Sequence, residues 1–160
     1  MNISIIVHSQ TGNTLSVAQK LKTRLEETGH FVSLSHIKDI DSKDTSNQQP
    51  GTIFLGDELP EKSDVLVLAG WVQAFSLCQG FSSFLNNWST IKAHQTHVFV
   101  THHFPYAWMG GNNAVSQIKS ILSNQNITVS SSKVFNWSNK NNPKQIDLWV
   151  DETVKRIEGK

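Results

Sequence analysis

Val65-Leu66-Val67-Leu68-Ala69 is an unbroken apolar run closed by Gly70. A strand with apolar side chains on both faces has to be covered on both faces, which is the position of a central strand in a parallel sheet. Other strand-like runs flank it in the chain. Ile3–His8 and His97–Thr101 are largely apolar. Phe31–His36 alternates, as an edge strand with one wet face does, and Ile127–Phe135 holds a fifth strand. Helical spacing separates these runs. Leu15 through Gly29 places Ala18, Leu21 and Leu25 on one face and ends on a C-capping glycine. Phe81, Phe84, Leu85, Trp88 and Ile91 mark a second helix, Ala114, Val115, Ile118, Ile121 and Leu122 a third, and Pro143–Ile157 the closing one. Strands alternating with helices give an α/β domain with helices on both sides of a five-stranded parallel sheet. At 160 residues, with no internal repeat, residues 1–160 form one domain.

Lys38–Lys62 follows this pattern poorly. Gln49-Pro50-Gly51 signals a turn, and Thr52-Ile53-Phe54-Leu55 fits either a short strand or an apolar tuck over the sheet. A shortened or irregular crossover is expected there in place of an ordinary helix.

Charge excludes some functions. Fourteen Lys and Arg against thirteen Asp and Glu leave a formal charge of +1, with no basic stripe to track nucleic acid. No apolar run is long enough to span a membrane. The chain enters its first strand without a secretory pattern, and Cys78 is its one cysteine, so a reducing, cytoplasmic setting without disulfides is expected. Three Asn-x-Ser/Thr matches are then coincidental. Cys78 has no arginine six positions on, against a low-molecular-weight phosphatase, and the first strand does not end in acidic residues, against a receiver domain. His102-His103 has no carboxylate or thiol beside it, and neighbours on a strand end point to opposite faces, so no metal site is expected.

In parallel sheets of this kind ligands bind beyond the carboxyl ends of the strands. Three loops meet there: Ser9–Thr14, Trp71–Gln79 and Thr101–Gly111. In Ser9-Gln10-Thr11-Gly12-Asn13-Thr14, Gly12 lets the backbone bend close to an anion, while Ser9, Thr11 and Thr14 supply hydroxyls. The first N–H groups of the following helix point at the same spot. With no Lys or Arg in the loop, neutral dipoles would hold the ligand, which suits a bound phosphomonoester better than a phosphate being transferred.

The first loop resembles the phosphate-binding loop of flavodoxin-fold FMN proteins, [ST]-x-[ST]-G-x-[ST], with Ser9, Thr11, Gly12 and Thr14 at every fixed position. Gly70–Gly80 leading into Phe84-Leu85 resembles the second flavin loop of FMN-dependent NAD(P)H:quinone oxidoreductases of the tryptophan-repressor-binding-protein type. Phe75 fits the aromatic position, while Trp71 stands where a hydroxyl is usual and Val72 where a proline is. Met109-Gly110-Gly111 is similar to the glycine pair before the fourth helix of those enzymes.

The resemblance implies a flavodoxin-like three-layer sandwich with strand order 2-1-3-4-5, and FMN as cofactor. Ser9–Thr14 would hold its phosphate. Backbone around Trp71, Val72, Gln73, Phe75 and Ser76 would bond the pyrimidine edge. Thr101, His102, His103, Phe104, Tyr106, Gly110 and Gly111 would form the third wall, with Trp71, Phe75, Phe104, Tyr106 and Trp108 as stacking candidates. Either histidine could hydrogen-bond flavin or substrate.

Two functions fit the resemblance. One is an NAD(P)H-dependent reductase of a quinone or similar small-molecule acceptor, often a homo-oligomer. The other is a flavodoxin-type electron carrier serving a redox partner protein. Flavodoxins are usually strongly acidic and commonly place a glycine in the second loop. This chain is near neutral and has no glycine from Trp71 to Gln79.

Overall fold

The computed structural model describes residues 1–39, 52–56 (as backbone), 59, 61–88 and 91–160. Five parallel strands carry the fold: β1 (Asn2–His8), β2 (Phe31–Asp39), β4 (Val65–Gln73), β6 (Gln95–His102) and β7 (Ser131–Asn136). They lie in the order β2-β1-β4-β6-β7, which is 2-1-3-4-5 when parallel strands alone are counted. Two short strands are additional. β3 (Thr52–Gly56) pairs antiparallel with β2, and β5 (Ser76–Leu77) pairs antiparallel with the end of β4.

Helices α1 (Asn13–Glu27) and α4 (Asn142–Glu158) cover one face, α2 (Gln79–Asn87) and α3 (Gly111–Asn124) the other. The apolar run that opened the argument feeds both layers. Val65, Val67 and Ala69 pack with α1, α4 and Phe99, whereas Leu66 and Leu68 pack with α2, α3, Val98 and Val100. Helix α1 closes as the sequence suggests. Gly29 has φ +85, and the N–H groups of Gly29 and His30 return to the carbonyls of Glu26 and Leu25, satisfying carbonyls the helix would leave free.

The second strand is a correction. β2 runs on to Asp39, and β3 pairs with its second half from Ser35↔Gly56 to Asp39↔Thr52, so β2 is not the sheet edge there. Alternation in Phe31–His36 reports one wet face, which an interior strand also has. Thr52–Leu55 is thus a strand and not a tuck, while 40–51, 57, 58 and 60 of the crossover expected within Lys38–Lys62 lie outside the described residues. Two boundaries also move. α2 ends at Asn87, where Trp88 turns extended, so Ile91 lies beyond it. β7 begins only at Ser131, after Asn126 takes a positive φ of 60°.

Candidate functional site

The first loop is anchored from beneath. Ser9 is buried; its N–H donates to the Ile37 carbonyl, and its own carbonyl sits 3.0 Å from His36 Nε2. Gly12 N–H donates to Ser9 Oγ at 3.1 Å, closing a small ring. Gly12 has φ +95, and a Cβ built on it would meet nothing within 4 Å, so there is open space beside the turn. Gly12 is also the N-cap of α1, which has no side-chain cap and no acidic residue in its first turn. The first helical bond is Ser16 N–H to Gly12 C=O at 2.9 Å, and it leaves the preceding N–H groups unused by the helix. Gln10 Oε1 is buried with no partner among the described residues. Thr14 is the surprise: its hydroxyl is buried and bonded to that of Thr101 at 2.8 Å, tying the first loop to the end of β6, where the third loop begins. Asn13 Nδ2 adds a longer contact of 3.4 Å to His103 Nε2.

The second loop is a tight hairpin. Val72 pairs with Leu77 and Gln73 with Ser76, leaving Ala74 and Phe75 as its two turn residues. Both have positive φ, 47° and 66°, the signature of a type I′ turn, which ordinarily needs glycine or asparagine. Neighbours hold the strained turn. Asn113 Nδ2 donates to the Phe75 carbonyl at 3.1 Å, Leu77 N–H donates to Gln117 Oε1 at 2.9 Å, and Cys78 N–H donates to the Trp71 carbonyl. Gly110 lies against its back: a Cβ there would fall 2.6 Å from Phe75 Cα. The glycine pair before α3 is therefore explained by close approach, Gly110 to the hairpin and Gly111 to Val134.

Four aromatic residues of the second and third loops stand at this end in two stacks. Phe75 and Phe104 lie face to face with ring centroids 4.7 Å apart and 17° between planes, while Tyr106 and Trp108 stack at 6.0 Å and 8°. Phe75, Tyr106 and Trp108 are more than half exposed, an unusual display of large rings. Trp71 behaves differently. Its indole N–H turns inward and donates to His8 Nδ1 at 3.0 Å. Chain order hides this group, because His8 and Asp39 lie 31 residues apart.

Accepting from Trp71 fixes His8 as the tautomer with its proton on Nε2, from which it donates to Asp39 Oδ1 at 2.9 Å. Cys78 Sγ lies 3.6 Å from the same Nδ1. A Cys-His-Asp line of this kind suggests a nucleophile, yet burial pushes the Cys78 thiol up to about 11, so it stays protonated. Gly80 is needed beside this pair, since a Cβ there would lie 2.7 Å from His8 Nε2.

Of the remaining expected residues, Gln73 is exposed and Val72 and Ser76 are half-buried along the hairpin. His102 is buried with both ring nitrogens unpartnered among the described residues. Burial, then the neighbouring His103, lowers its pKa. His103 is exposed on the opposite side of the strand end. Among the described residues no cluster of His, Cys, Asp and Glu could hold a metal ion.

No protein-family model and no curated protein sequence matches the chain. Solved structures do. A flavodoxin from Streptococcus pneumonia TIGR4 superposes with a TM-score of 0.63 over 98% of this chain and 99% of that one. The chain has the flavodoxin fold. Flavodoxin 1 from Bacillus cereus is equally similar, with a TM-score of 0.63 and coverage of 97% and 98%. A WrbA-like flavodoxin from Agrobacterium tumefaciens gives 0.62, covering 99% and 98%. Sequence identities to the three are 14%, 17% and 11%, so the likeness is one of fold. In a flavodoxin fold the loops after the first, third and fourth parallel strands share one end of the sheet. Those are the three loops described above.

Proposed function

We propose that this chain is an FMN-binding redox protein. The observation that carries the reading is the uncapped start of α1: an open left-handed Gly12 turn, rich in hydroxyls and free of charged side chains, at the sheet end where the aromatic loops meet. Such a nest of N–H groups suits a phosphate monoester. Thr11, Gly12 and Asn13 would surround the phosphate, Ser9 would brace the turn, and the buried Gln10 Oε1 offers an acceptor for a ribityl hydroxyl. Thr14 would contribute its N–H more than its hydroxyl, which Thr101 engages.

The flavin, when bound, supplies the one- or two-electron redox chemistry. The chain's residues position it and shield it. Phe75 and Phe104 are in direct contact, and rings that accept a planar guest between them must part to about 7 Å, two van der Waals contacts. Asn113 restrains the Phe75 carbonyl while they do so.

Whether the partner is a small molecule or a protein is a finer question. The loops 9–14, 71–79 and 101–111 contain no Asp, Glu, Lys or Arg. Loops without charge give little electrostatic steering, which favours reduction of a neutral, planar acceptor such as a quinone over the role of a charge-steered carrier.

The test is absorption spectroscopy of the purified protein with FMN titration. A yellow protein, or a colourless one that takes up one FMN per chain with quenching of flavin fluorescence, supports the reading. No uptake at hundred-micromolar FMN overturns it. Rapid NAD(P)H oxidation on adding a quinone to the FMN-loaded protein separates the reductase from the carrier.

A further inference from the structure

His8 is the last residue of β1, so the first loop leaves directly from its backbone, while its side chain grips the start of the second. The imidazole is fully buried, with ring centroids 6.1 Å from Phe81 of α2 and 6.5 Å from Trp71. Both of its nitrogens are engaged. Nδ1 accepts the Trp71 indole N–H at 3.0 Å, and Nε2 donates to Asp39 Oδ1 at 2.9 Å. Asp39 ends β2 against the start of α2, where a Cβ on Gly80 would fall 2.0 Å from Oδ1. Gly80 thus leaves room for a carboxylate at the helix end that favours negative charge. A proton held on Nε2 by that carboxylate leaves Nδ1 bare, and only a bare Nδ1 can accept from an indole. Among the described residues the Trp71 side chain makes no other hydrogen bond, so its ring is oriented by this bond and by a 29° stack on the same imidazole.

We propose, resting on the FMN reading above, that His8 backed by Asp39 is a positioning residue of the flavin site: it turns the Trp71 indole N–H inward and so fixes how the second loop meets the cofactor. The donor of Trp71 is consumed on the protein side, which leaves its ring and main chain for the flavin. A free indole would turn about two side-chain torsions, and stilling them on binding costs entropy. Held by His8 beforehand, the ring needs no ordering when the flavin arrives. His8 does this without touching the ligand, acting through Trp71 alone.

The experiment is FMN titration of the full chain by flavin fluorescence, with NMR of the indole N–H groups in the unloaded protein. The Trp71 signal is assigned by its absence in Trp71→Phe. His8→Leu and Trp71→Phe should each weaken FMN binding about tenfold, the worth of one hydrogen bond and the ordering it spares. The double variant should fall within about twofold of the weaker single, because both changes remove the same bond. Losses that multiply overturn the proposal. Two amides then separate positioning from structure. His8→Asn puts an oxygen where Nδ1 was, whereas His8→Gln carries its oxygen farther out, toward the place of Nε2. The Asn variant should bind FMN about fivefold tighter than the Gln variant and keep the Trp71 indole signal near its parent position. Equal affinities for the two, or affinities that follow their urea midpoints instead, leave His8 a structural residue only and overturn the proposal. FMN uptake by the parent that His8→Leu does not weaken overturns this inference alone; no uptake by the parent overturns the FMN reading and this inference with it.

Discussion

Thr14 shows how a residue can belong to a motif and yet act through something other than its expected atom. The [ST]-x-[ST]-G-x-[ST] spacing marks its hydroxyl as a ligand donor, but that hydroxyl is buried against Thr101 at 2.8 Å. A buried hydroxyl pair has a definite signature. Thr14→Val alone leaves the Thr101 hydroxyl without a partner and should cost about 1–3 kcal/mol. Thr14→Val with Thr101→Val removes both polar groups and should cost less than the sum of the singles, by about 1 kcal/mol or more. Urea unfolding of the four proteins measures this coupling, and strictly additive losses would show that the two hydroxyls do not bond. The same experiment guards the functional test, since weaker FMN binding by Thr14→Val could arise from a loosened strand-end. His8 teaches the converse. Nothing local in Ile6-Val7-His8-Ser9 announces this hydrogen-bonded group, because Asp39 and Trp71 reach it only through the register of β2 and β4 on β1.

Among the elements, those set by short-range rules could be read directly, and those set by partners could not. β1, the Gly12 turn and α1 follow from an apolar run, one glycine and a helical stripe within 30 residues. β4 reads as central because all of Val65–Ala69 is apolar, and its two faces do meet the two helical layers. The antiparallel pairing of β3 was beyond reach, since a five-residue apolar segment carries no record of its neighbour. The hairpin at Ala74-Phe75 was hidden for a different reason. The usual glycine or asparagine signal is missing, and the turn is imposed by Gly110, Asn113 and Gln117 from outside it. That imposition has a measurable cost. Ala74 is exposed and has φ 47°, so its methyl strains the backbone while packing little. Ala74→Gly should stabilise the protein by about 0.5–1 kcal/mol, the left-handed penalty less the added freedom of the unfolded chain. A raised urea midpoint with an unchanged slope is the expected result; a lowered midpoint would mean that the turn is not strained.

For the molecule as a whole, buried imidazoles set how stability responds to acid. His97 lies inside β6, with Nδ1 2.7 Å from Ser131 Oγ and Nε2 3.3 Å from Gln95 Oε1. Burial, and secondarily the Arg156 guanidinium, lowers its pKa from 6.5 to about 4, and burial lowers His102 as well. A histidine that resists protonation in the folded state is protonated first in the unfolded one. As pH falls through 6.5 the unfolded chain takes up the proton alone, so stability declines until the folded pKa near 4, below which this contribution is flat. Between pH 7.5 and pH 5 the loss from His97 should be about 2 kcal/mol. His97→Gln removes the titrating group while keeping an amide that can face Ser131. Urea unfolding at the two pH values should therefore show the parent losing about 2 kcal/mol more than the variant, with His102 and the carboxylates cancelling in the comparison. Equal losses would mean that His97 is as easily protonated folded as unfolded, which its place between β6, β7 and the arginine of α4 argues against.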